Sequence, residues 1–191
     1  MGEPAPPADF LTLEAAAARH GALRWAERRL YGLTGARSAT ASLSPAVRVH
    51  LFEAATRHAW HAQLWEARLP VLAGWDPEEL TVPGDPVAGT LLDAVAGLEG
   101  DAAVLAGLYQ VAVPALLASY LRHRDALDEA SGRPAQRVLG VVIPGTGAEL
   151  AAGTALLGVL AAPEAETAQR TVAALASLTG HGAAVEPLFP W

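Results

Sequence analysis

His58 and His61 stand three residues apart within Ser44–Leu69, SPAVRVHLFEAATRHAWHAQLWEARL. That spacing is close to one helical turn, so both imidazoles point to the same side of a helix. The apolar stripe of this segment is Val47, Leu51, Ala54, His58, His61 and Trp65, which turns the two rings towards a core. An earlier stripe, Leu13, Ala16, His20, Leu23, Glu27, Leu30 and Thr34, carries a carboxylate in an equivalent place. A carboxylate and two imidazoles that converge between helices suit iron, manganese or zinc. The same groups also satisfy one another without an ion, because a buried Glu accepts hydrogen bonds from a neighbouring His. Two readings follow: a site for one or two ions of iron or manganese, or a metal-free polar core.

Further residues bear on this site. Glu149 is the one acid in the apolar run Val138–Ala162 and is a candidate fourth metal ligand. His20, Trp65, Tyr109 and Tyr120 are candidate pocket walls, although aromatic residues on a stripe also serve as plain core. Glu53 stands four residues before Arg57, the spacing of a surface ion pair. Arg24, Arg28 and Arg29 read as a solvated or partner-facing edge. Pro144-Gly145-Thr146-Gly147 reads as a helix break that opens room for a ligand, or as an anion cradle at the next helix start. It lacks the Lys-Ser/Thr of a phosphate loop. The chain has no Ser-His-Asp order, no nucleophile elbow, no His-Glu-x-x-His and no dinucleotide fingerprint.

Helices must position these groups. A first helix is expected from about Asp9 to Leu33, capped by Asp9 or Thr12 and followed by Gly35. The Ser/Thr-rich loop Ala36–Leu43 is short, which makes the second helix its antiparallel neighbour. Ser44 and Pro45 open that helix and Pro70 ends it. The loop Ala73–Pro86 is long enough to cross from one end of a bundle to the other, and a short helix is expected over Val87–Leu98. Gly100-Asp101 opens a third long helix to about Ala126, with stripe Leu98, Ala102, Leu105, Tyr109, Ala112, Leu116 and Tyr120, and Pro114 is expected to kink it. A fourth helix starts near Arg133-Pro134, breaks at Pro144–Gly147 and resumes to Ala161; Glu164–Leu178 forms a short fifth. No strand-period pattern of any length occurs. The expected organisation is a disordered tail over 1–8, one helical domain over 9–180, and a tail over 181–191 that docks through Phe189 and Trp191.

Composition narrows the function classes. The 191 residues suffice for one domain with a real core. The chain is 52% hydrophobic, much of it alanine, which favours close helix packing. The net charge of -7, without a long basic run, argues against nucleic acid. There is no cysteine, which excludes disulfides, iron–sulfur clusters and thiolate zinc sites. The N-terminus, MGEPAPPADF, is not a signal peptide, and a cytoplasmic location is expected. Ala102–Leu121 has no charge and Val138–Ala162 only Glu149, so each is long enough to span a bilayer. Arg122, Arg124, Arg133 and Arg137 lie between them, as in a positive-inside hairpin. Their Ala/Gly-rich make-up, poor in large apolar side chains, speaks instead for the centre of a soluble bundle.

On Glu27, His58-Ala59-Trp60-His61 and the long crossover, the chain resembles the ferritin-like superfamily. The resemblance implies an all-α, antiparallel four-helix bundle with a long crossover between the second and third helices. In di-iron members one helix gives a Glu, the next gives Glu-x-x-His, and a second helix pair repeats the set. Glu27 matches the first Glu, and His58 stands where the Glu of Glu-x-x-His belongs. The later half departs from the pattern: Tyr109 lies on the third stripe in place of a carboxylate, and the fourth helix has Glu149 but no Glu-x-x-His. The resemblance implies a reduced site of Glu27, His58, His61 and Glu149 and metal-dependent redox or oxygen chemistry. The alternatives are a metal-free module for small-molecule binding or protein assembly, a homodimer among them, and a membrane-associated hairpin.

Overall fold

The computed structural model describes residues 11–127, 132–160, 162–179, 187–189 and 191. The tail expected over 1–8 lies outside them, as does most of 181–191. Among the described residues all regular structure is helical, in seven helices.

α1 is Leu13–Ser38, capped by the Thr12 side chain, which accepts from the Ala15 N–H at 3.2 Å. It runs through Gly35 rather than stopping there, because Gly35 lies against α2: a Cβ on it would stand 3.8 Å from that of Ala55. α2 is Pro45–Glu66, with proline at its first position, where no N–H is needed. α3, Pro77–Leu80, and α4, Pro86–Ala96, start at Asp76 and Asp85, whose carboxylates accept from the N–H two residues on. α5 spans Asp101–Asp125 and α6 spans Arg133–Gly158. α7 is Ala162–Thr179.

Opposed residues give the directions. Gly35 faces Ala55, Glu27 faces His58 and His61, and Arg24 reaches Glu66, so α1 and α2 are antiparallel. His20 meets His123 and Glu27 meets Tyr120, so α5 also runs against α1. His58 meets Glu149 and His61 meets Gly145, so α6 runs against α2. α2 and α5 are therefore parallel, and the chain between them must return the length of the molecule. It does so along α1, held by Arg24 on Thr81 and Glu78, Arg29 on Asp93 and Arg37 on the Ala96 carbonyl. Arg24 is therefore buried and paired, not part of a solvated edge.

Two further expectations need correction. α6 is unbroken at Pro144. A helical proline collides with the carbonyl four residues back and leaves it unpaired. Here that residue is Gly140, and both it and Pro144 are exposed, so water can serve the freed carbonyl. In α5 the strain expected at Pro114 takes the form of a π-helical turn over Gly107–Ala112, just ahead of it.

The core gathers Leu23, Leu30, Leu51, Leu105, Leu108, Leu116 and Trp65, each essentially without solvent exposure. α5 and α6 are both long and apolar enough to cross a membrane, but they differ in setting. The apolar window of α5 is 72% buried in protein, which accounts for its composition, whereas that of α6 is 33% buried and exposes mainly small residues such as Ala148, Ala151 and Ala152. Phe189 is fully buried, and its N–H donates to the Ser119 hydroxyl at 3.2 Å.

Candidate metal centre

Glu27, His58 and His61 come together in the core, all three without solvent exposure. One ligand atom from each lies within 4.8 Å of the others. Metal bonds of about 2.0–2.2 Å set shared ligands roughly 3–4 Å apart, so an ion would have to part the direct His58–Glu27 hydrogen bond to enter. His58 Nδ1 is hydrogen-bonded to Glu27 Oε2, and His61 Nδ1 lies 3.1 Å from Glu27 Oε1. The Tyr120 hydroxyl donates to Glu27 Oε1, and the Trp65 indole N–H donates to the Tyr120 oxygen at 3.4 Å. One carboxylate thus collects three donors, from α2 twice and from α5.

Glu149 comes from α6 to the other ring nitrogen of His58: its Oε1 is 3.2 Å from His58 Nε2. It stands outside the tight cluster around Glu27, on the far side of the His58 ring. Its second oxygen accepts from Arg57 Nη1 at 3.1 Å. Arg57 pairs here and not with Glu53, because the buried carboxylate offers it a stronger field than a solvated one.

The charges hold one another. Burial pushes the Glu27 carboxyl up, but the charge and hydrogen bond of His58, then His61, outweigh it and bring it down to about 2. Burial pushes His58 down, but Glu149 and then Glu27 outweigh it and raise it to about 10. Glu149 is also lowered: burial opposes, and His58 and Arg57 prevail. His58 is therefore an imidazolium between two carboxylates. With Arg57 the group is electrically balanced.

Small residues of α6 make the room. A Cβ on Gly145 would come within 3.1 Å of His61 Nε2, and one on Gly153 would overlap the Tyr109 ring at 2.3 Å. Gly145, Glu149 and Gly153 recur every four residues and form one face. Tyr109 is pressed into that face, 5.1 Å from the His50 ring, and burial followed by Glu149 raises its hydroxyl far above the ordinary range. His61 Nε2 and Thr146 Oγ1 are buried without a hydrogen-bond partner, while His58 Nε2 and Glu149 Oε1 face each other only as an ion pair at 3.2 Å. Orphaned polar atoms of this kind ask for water or an ion.

Trp65 and Tyr120 stack on each other at 5.8 Å and close one side of the centre. His20 does not reach Glu27; it stacks on Trp65 at 5.5 Å and belongs to a second cluster. Trp60 is half exposed and tilts against the outer side of the His61 ring at 5.7 Å. Sequence reasoning missed Arg57, His50 and His123. His50 follows Val47 and His123 follows Tyr120 by a step of three, so both extend stripes already read; Arg57 gives no such signal. No known protein family, no curated protein and no solved structure matches this chain.

Proposed function

We propose that this chain is a divergent ferritin-like metalloprotein that holds an iron or manganese ion at Glu27, His58 and His61 and carries out redox chemistry on a small molecule. The observation that carries this reading is the convergence of three fully buried ligand atoms within 4.8 Å. The helix directions add support. With α1 and α6 pointing one way and α2 and α5 the other, the order up, down, down, up needs a long crossover after α2, as in ferritin-like bundles.

The donor set fits such an ion. A carboxylate and two imidazoles are borderline ligands suited to first-row metals. Metal-ligating histidines commonly give their other N–H to a carboxylate, and Glu149 waits on His58 Nε2 for that purpose. A bound ion would supply one-electron chemistry and polarise a small molecule at its open positions. Glu27 supplies negative charge, and Tyr120 fixes its orientation. Arg57 keeps Glu149 ionised, and loading displaces the proton that His58 now holds between the two carboxylates. Trp65 and Tyr120 keep bulk water from that side.

The test is elemental analysis after anaerobic reconstitution with Fe(II) or Mn(II). About one ion per chain is expected in the natural protein, and under about a tenth as much in Glu27→Ala, His58→Ala and His61→Ala. Metal content equally low in the natural protein would overturn the proposal. The electrical balance of Glu27, His58, Glu149 and Arg57 favours a second reading, a metal-free network inside a binding or assembly module. Under it, ligand or partner binding survives chelation.

A further inference from the structure

A second buried cluster lies at the end of the molecule where α1 begins and α2 and α5 end. His123, in the last turn of α5, is fully buried, and neither of its ring nitrogens has a hydrogen-bond partner. His20, on α1, is 8% exposed, and its Nε2 is likewise unpartnered. The two rings meet edge to face at 5.3 Å. Trp65 packs on both, and Trp191 lies 5.7 Å from His123. Two arginines stand at the rim. Arg19 lies over Trp191 at 5.1 Å, and its Nη1 is buried without a partner; so is Nε of Arg68.

Donors exceed acceptors here. A neutral imidazole brings one N–H and one lone pair, whereas each guanidinium brings N–H groups alone. The charges that bear on the rings are positive: Arg68 and Arg19 on His20, and Arg19 on His123. A cation would meet two guanidiniums. An acceptor-rich anion would satisfy all four side chains.

We propose that Arg19, His20, Arg68 and His123 form a binding site for a small oxyanion, inorganic phosphate or the phosphate group of a small metabolite. The half-buried side chains of Arg19, Arg68 and Trp191 form its mouth. The imidazoles are poised to charge on binding. Burial first, and then Arg68 and Arg19 acting against a backbone hydrogen bond at Arg68, hold His20 at about 4; burial, then His20 and Arg19, hold His123 at about 3, and a bound anion relieves that repulsion. None of these four side chains touches Glu27, His58, His61 or Glu149, although Trp65 packs against both clusters.

The experiment is titration with inorganic phosphate at low ionic strength, read by calorimetry and by tryptophan emission from Trp65 and Trp191. Acetate and glucose phosphate are run beside it. Saturable phosphate binding is expected, with affinity at least about tenfold weaker in Arg19→Gln and in His123→Gln and unchanged in Arg170→Gln on the surface of α7. Glucose phosphate binding more tightly than inorganic phosphate would assign the site to an organic phosphate; the reverse order would assign it to the free ion. No saturation up to about 50 mM phosphate, tighter binding of acetate, or equal affinity in both variants would overturn the proposal. Nitrogen-15 histidine spectra of the natural protein give a check that needs no variant: phosphate should move the ring signals of His20 and His123. Unmoved signals would overturn it too.

Discussion

His123 and His20 are buried bases without acids beside them, the opposite of His58, and this difference sets a pH response. Both are neutral in the folded protein down to about 3 and 4 and take up a proton near 6.5 when exposed. Between those values the unfolded chain binds more protons, so their contribution to stability is whole above about 6.5 and drains away as the pH falls. Urea midpoints measured without phosphate should therefore drop from pH 7 to pH 5, with a shallower drop in His123→Gln. A slope unchanged by that substitution would mean that His123 is not held neutral. At the metal centre the residues that sequence patterning selected, Glu27, His58 and His61, are brought together. The partner of Glu149 was not legible. Arg57 lies off the apolar stripe, and only the packing of α6 on α2 shows that its long side chain reaches a buried carboxylate.

α6 shows how one element serves the site through what it lacks. Gly153 has no side chain where the Tyr109 ring lies, and Gly147 has open space around it. Gly153→Ala should destabilise the fold by about 1–3 kcal/mol through overpacking. Gly147→Ala should stabilise it by roughly 0.5–1 kcal/mol, because alanine favours the helix and nothing stands in its way. Chemical denaturation of the two variants checks both signs. The same helix marks the limit of sequence reading. α1 and α2 were legible in their stripes and starting points because amphipathic periodicity, the Thr12 cap and Pro45 act locally, although the Ser44 side chain makes no capping hydrogen bond. The Pro144-Gly145-Thr146-Gly147 run was misread as a break. Gly145 serves contact with His61, and the exposed Gly140 ahead of the run lets water serve the carbonyl that Pro144 frees; neither purpose leaves a local signal distinct from a turn. The π-helical turn of α5 was invisible for a similar reason: Pro114 announces a fault in the ladder but not the form it takes.

At the scale of the molecule, α1, α2 and α6 supply the buried charges of one centre and α5 the Tyr120 hydroxyl, so its occupancy should be felt by the whole fold. With free Mn(II) at about a hundred times the dissociation constant, loading adds about 2.7 kcal/mol to stability. For a chain of this size that raises the thermal midpoint by roughly 5–10 °C. Scanning calorimetry with and without metal measures it, and the rise should vanish in His61→Ala. An equal midpoint in both conditions would speak for the metal-free network. The π-helical turn over Gly107–Ala112 also matters at this scale, because both clusters lie downstream of it on α5. Tyr120 reaches Glu27, and His123 reaches His20, from the segment that follows the turn. The turn adds one residue to the winding, and each residue of an α-helix advances the phase by about 100°. Deleting one residue of 107–112 would therefore let α5 close as an ordinary helix with Tyr120 and His123 still facing inward, whereas one residue added between Val113 and Ser119 would swing both out of the interior together. Composition, charge and helix count would barely change, yet both clusters would be disengaged in one step. The two sites thus share a single phase setting, and a descendant of this chain would keep or lose them as a pair.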